Sequence, residues 1–123
     1  MPILRHHDCP RFEMPGLTVH GLASPRRGAA ETCVWRLRLD PGAPAFPHSV
    51  TREEVFVAIA GTARATLDGV AHDLHPGDAL LVPAGVTFAL GNPSMEAFEA
   101  VVTLPVGGQA VTADGTFTPP WAE

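Results

Sequence analysis

The chain of 123 residues carries 46% apolar and 17% charged residues, the composition of an ordinary globular domain. Eight Arg, no Lys and thirteen acidic residues give a net charge of −5, which leaves no basic surface for a nucleic-acid backbone. No apolar run nears the ~20 residues that span a bilayer, and the opening MPILRHHDCP has no apolar stretch to act as a secretion signal. The expectation is a cytoplasmic domain, without membrane or nucleic-acid partners, whose two cysteines Cys9 and Cys33 are free thiols.

Twelve Gly and thirteen Pro punctuate the chain. Residues 1–30, Pro-rich and containing Arg26-Arg27-Gly28, read as an arm that covers a sheet edge or reaches a partner subunit. Thr32–Leu39 (TCVWRLRL) alternates Trp35, Leu37 and Leu39 with Arg36 and Arg38, a period of two that puts apolar side chains on one strand face and charge on the other. After the turn Asp40-Pro41-Gly42, residues 55–60 (VFVAIA) are apolar at every position, which predicts a central strand covered on both faces. Ala63–Leu67 and Ala79–Val82 have strand length, and Asp68-Gly69 between them is a hairpin signal. His75-Pro76-Gly77-Asp78 and Pro83-Ala84-Gly85 are further turns. Ser94 resembles a helix N-cap, but the β-branched AVVTL makes 94–104 mainly strand. Residues 106–123 read as a tail. One all-β domain over 1–123 follows, an antiparallel barrel or sandwich with little or no helix and a core of about 31–105.

Two spaced motifs place this chain beside a known family. Gly42-x5-His48-x-Val50-x3-Glu54-x6-Gly61 and Gly77-x5-Pro83-x-Gly85-x2-Phe88-x3-Asn92 resemble the two motifs of the cupin superfamily. The resemblance implies a single antiparallel jelly-roll barrel and a homodimer. Val50 and Phe88 stand where the family pattern has its second and third His. In members that bind iron, manganese, nickel or zinc, three His and one Glu converge on the metal. The equivalent set here is His48, Val50, Glu54 and Phe88.

Val and Phe offer no donor atoms, so the expectation is no tightly bound metal and no other cofactor. The alternative is a divalent transition metal held by His48 and Glu54 with a substitute donor, His20 first and His72, His75 or Cys33 after it. Without metal, His48 and Glu54 point into the barrel by family analogy and are expected to hydrogen-bond each other, either as a self-satisfied pair or as an acid/base pair that titrates near neutrality. Val50, Phe56, Phe88, Trp35 and Phe46 are the candidate pocket lining, with Phe88 also able to plug the cavity. Arg36 and Arg38 are expected to face solvent; on a cavity face they would suit a carboxylate or phosphate.

Three functions follow. The first is a barrel that binds a small organic molecule without metal, as an isomerase or cyclase using His48 and Glu54. The second is a metal-dependent dioxygenase or isomerase. The third is a non-catalytic sensing or structural barrel, with Phe56 and Phe88 in contact in a packed interior. Fold alone does not choose among them.

Overall fold

A computed structural model describes residues 2–123. Its strands are β1 Arg11–Met14, β2 Leu17–Ala23, β3 Thr32–Leu39, β4 Ser49–Val50, β5 Glu54–Ala60, β6 Ala63–Leu67, β7 Val70–Leu74, β8 Ala79–Val82, β9 Phe88–Gly91, β10 Phe98–Pro105, β11 Ala110–Thr112 and β12 Gly115–Phe117. Three one-turn 3-10 helices, His6–Asp8, Pro25–Arg27 and Pro120–Ala122, are the only helical segments among the described residues. No helix is long and apolar enough to cross a membrane.

The strands build two layers in a jelly-roll arrangement. One is a six-stranded antiparallel sheet in the order β1-β2-β3-β10-β5-β8. The other combines two three-stranded sheets, β12-β11-β4 and β7-β6-β9. An antiparallel bridge between His48 and Phe88 links them, with His48 N–H donating to Phe88 O (2.9 Å) and Phe88 N–H to His48 O (2.8 Å).

The period of two in β3 decides which residues make the core. Trp35, Leu37 and Leu39 are buried while Arg36 and Arg38 are exposed. Antiparallel register carries this split across the sheet, since Trp35 lies opposite Val102, Val102 opposite Phe56, and Phe56 opposite Leu80. These inward residues meet Val50, Ala63, Ala65, Leu74 and Phe88 of the second layer in one hydrophobic cluster. Burying each large apolar side chain contributes roughly 1.5–3 kcal/mol relative to exposure.

Asp68-Gly69 forms the expected hairpin. Leu67 pairs with Val70, and the two intervening residues take φ of 48° and 84°, as a primed turn requires. Three expectations need correction. Residues 55–60 are covered on their inner face only: Val57 and Ile59 point outward, Ile59 being 52% exposed, because no second layer lies outside β5. The first thirty residues are more than an arm, since β1 and β2 add two strands to the edge of β3. The tail likewise supplies β11 and β12, and its Trp121 packs against Trp35 and Phe12.

Gly61 occupies a corner that only glycine fits. Its φ is +74°, and a Cβ there would stand 2.2 Å from the carbonyl oxygen of Ala97, which is backbone and cannot swing aside. Gly61→Ala is therefore expected to destabilise the fold by at least about 2 kcal/mol. Chemical denaturation of the two proteins measures the difference.

Candidate functional site

Glu54 opens β5 on its inward face, opposite Val82 of β8, and is 5% exposed. The strand's alternation continues the same face with Phe56 and Ala58, so the carboxyl shares an apolar row. Its Oε1 is buried and has no hydrogen-bond partner. Burial pushes the Glu54 carboxyl up to about 8, because an ionised carboxylate in this setting loses its water without gaining a cation or donor. Burial thus favours the neutral, protonated form of the Glu54 carboxyl.

His48 is half-buried at the junction of the two small sheets. Its Nδ1 lies 3.1 Å from Phe46 O. A carbonyl oxygen only accepts, so Nδ1–H is the donor, and a neutral His48 ring presents its Nε2 lone pair elsewhere. The ring leans on Phe88 with centroids 4.3 Å apart, and Phe88 in turn meets Phe56 edge-on at 5.8 Å. The expected hydrogen bond between His48 and Glu54 is not made among the described residues; His48 is turned to Phe46 and Glu54 Oε1 is left alone.

Backbone pairing fixes the remaining motif positions. Val50 is held by Gly85 N–H donating to its carbonyl (2.9 Å) and is buried, as is Phe88. Asn92 is fully buried and ties backbone segments together. Its amide nitrogen donates to Leu39 O and Glu96 O, while Oδ1 accepts from Ser94. Of the expected lining, Val50, Phe56, Phe88 and Trp35 are in the core, whereas Phe46 is 68% exposed on the loop before β4 and lines no interior.

The donor set does not suit a metal. Val50 and Phe88 fill two of the four positions with hydrocarbon, and no three His, Cys, Asp or Glu side chains converge on one point among the described residues. His20, the first candidate for a substitute ligand, lies on the outer face of the six-stranded sheet, opposite Arg36 in register and on the other side of the sheet from Glu54. His72 and His75 are exposed, and Cys33 is buried beside Ala122 O with its thiol pushed up by burial.

Two open cavities were not legible in the sequence. One, of about 550 Å³, crosses the outer face of β1, β2 and β3. The other, of about 370 Å³, lies between β6, β7 and β8 and includes Leu67, His72, Leu74, Asp78 and Leu80. Neither is lined by His48 or Glu54.

A family profile described as the cupin domain matches residues 35–107. No curated protein matches the chain in sequence. Among solved structures, the polyketide cyclase RemF from Streptomyces resistomycificus superposes with a TM-score of 0.74 at 19% identity, over 85% of this chain and 79% of that one. KdgF from Halomonas sp. gives 0.72 at 19% identity over 85% and 94%. An RmlC-like cupin from Shewanella frigidimarina gives 0.70 at 21% identity over 80% and 85%.

Two measurements follow from the site. Because the folded-state value of Glu54 lies above its ordinary 4.5, its contribution to stability is full below that pH and is lost as the pH rises to about 8. At about 1.4 kcal/mol per pH unit the loss is on the order of 5 kcal/mol. Urea titrations from pH 4.5 to 9 are expected to show this decline, and Glu54→Gln is expected to remove most of it. The double substitution Val50→His with Phe88→His adds two imidazoles to His48 and Glu54. Elemental analysis after zinc loading and gel filtration is expected to find retained metal in that variant and much less in the parent.

Proposed function

The chain belongs to the cupin family, and from that premise we propose that it binds a small, mostly apolar organic molecule within the barrel and moves protons on it through Glu54 and His48, without a metal. The observation that carries this reading is the orphaned Oε1 of Glu54. A buried polar atom without a partner costs free energy, and a ligand hydroxyl or carbonyl would remove that cost.

Glu54 and His48 offer complementary groups to a ligand. Protonated Glu54 is an acid, and His48, with Nδ1–H committed to Phe46 O, offers Nε2 as a base. On a ketone the pair supports enolisation. His48 Nε2 takes a proton from the carbon beside the carbonyl, the C–H electron pair becomes the C=C bond, and the carbonyl oxygen takes the Glu54 proton. Reprotonation at another carbon is an isomerisation; attack of the enol carbon on a second carbonyl is a cyclisation. The fold shared with a polyketide cyclase makes cyclisation of a polycarbonyl compound the first reaction to test.

A second reading has its own observation. The edge-on contact of Phe56 with Phe88 fills part of the interior, as in a non-catalytic sensing or structural barrel. A thermal-shift screen of keto- and hydroxy-aromatic compounds separates the two. The enzyme reading expects at least one compound to raise the melting temperature, turnover of that class to fall as the pH passes about 8, and Glu54→Gln to lose turnover. Stabilisation without turnover supports a sensing barrel, and no stabilisation by any compound supports a structural one.

The proposed protein partner is a second copy of the chain. Val57, Ile59 and Leu81, the last 53% exposed, form an apolar band on the outer face of β5 and β8. Light scattering is expected to give a dimer mass for the parent and a monomer mass for Leu81→Glu. A monomeric parent would overturn this assignment.

A further inference from the structure

We infer that the groove on the outer face of β1, β2 and β3 is a binding site for the oxyanion group of a small organic acid or phosphate ester, gripped by Arg36 with the imidazoles of His6 and His20. Nothing in the barrel chemistry requires this site, and it faces away from Glu54.

The register brings the cations together. Arg11 lies opposite His20, and His20 lies opposite Arg36, so three cation-capable side chains occupy neighbouring positions on three successive strands and share the outward face. Directly opposed side chains of like charge destabilise a sheet. In a chain of net charge −5, three of its eight Arg and two of its six His nevertheless line this one groove. His6 completes the cluster from the N-terminal 3-10 turn, its ring centroid 4.9 Å from that of His20. That turn is tied down: Gly21 N–H donates to Pro10 O (3.0 Å), and Arg27 Nη1 donates to Asp8 O (2.9 Å).

Glu13, Asp40 and Glu99 match the three Arg of the groove in formal charge, but the ion pairs leave Arg36 out. Arg11 is bound to Glu13 and Arg38 to Asp40, both on the groove wall. Glu99, the remaining acid there, is opposite Arg38 in register. Arg36 forms no salt bridge among the described residues, and its guanidinium is the free fork that carboxylates and phosphates accept in bidentate fashion. The surroundings bear on His20 in the same sense. Its pKa is held below the ordinary 6.5, first by desolvation and then by His6, Arg11 and Arg36. A bound anion would offset the positive charge of Arg11 and Arg36 and raise it. At about 550 Å³ the groove is larger than a bare phosphate needs, which favours an organic molecule bearing the anionic group.

The test is a titration followed by NMR of the histidine Cε1–H resonances, with inorganic phosphate in one arm and succinate in the other, at ionic strength held constant with chloride. Saturable shifts at His6 and His20 with one shared Kd, with His72 and His75 as bystanders, are expected in at least one arm. The responding arm identifies phosphate or carboxylate as the preferred group. Arg36→Ala is expected to weaken binding about 10-fold or more, while Arg64→Ala, on the other layer, is expected to leave it unchanged. Arg36 is exposed, so its replacement should spare the fold, and His20→Gln gives an independent variant read at His6. Shifts that never saturate in either arm, that are equal at His72 and His75, or that persist with the same Kd in Arg36→Ala would overturn the proposal.

Discussion

One buried carboxyl is the constraint on which the proposed chemistry of this barrel depends. Glu54 sits on the inner face of a strand whose other inward residues are Phe56 and Ala58, with Val82 across from it, and its Oε1 meets no donor. Desolvation without compensation favours its protonated form, and a protonated acid in an apolar row is a proton donor and a hydrogen-bond donor. Everything proposed for the interior depends on that state. A cation or a hydrogen-bond donor near Glu54 would have lowered its pKa and changed the chemistry; the side chains of Val50 and Phe88 supply neither.

The strand periodicities make this placement unavoidable. Trp35, Val102, Phe56 and Leu80 lie in one transverse row through antiparallel register, so moving a strand by one residue would turn its own apolar set outward, and in β5 would bring Glu54 to solvent. The reciprocal hydrogen bonds between His48 and Phe88 stitch the second layer together and at the same time bring an imidazole against an aromatic ring. Structural support and site geometry thus come from the same two residues. The outer face of the six-stranded sheet divides by chemistry, with imidazoles and charged side chains of both signs over β1, β2 and β3 and apolar side chains over β5 and β8.

Much of the fold was legible in the sequence. β3, β6, β8 and the Asp68-Gly69 hairpin follow from periodicity and turn chemistry, and the two spaced motifs mark the corners of a cupin barrel. The less legible strands have physical reasons. β7 (VAHDL) has one buried residue in five and so lacks an alternating pattern, and β4 has only two residues. β1 and β2 lie in a Pro-containing stretch where each strand is too short or too partly buried to stand out. Val50, Glu54, Phe56 and Phe88 are buried. The expected partnership of His48 with Glu54 could not be settled by spacing, because it depends on the rotation of one imidazole toward Phe46 O. The groove around Arg36 was less accessible still: Arg36 was visible as an outward residue, but His6, Arg11 and His20 join it only through strand register and the packing of the first turn.

The protonated state of Glu54 is the central claim, and the most direct measurement is its side-chain carboxyl carbon followed by NMR from pH 4 to 10, assigned by comparison with Glu54→Gln. A titration midpoint of about 8, well apart from the other carboxyl groups, is the predicted result. A midpoint in the ordinary carboxylate range, near 4.5, would contradict it, since Glu54 would then be an anion at pH 7 with a partner or solvent that the apolar row does not provide.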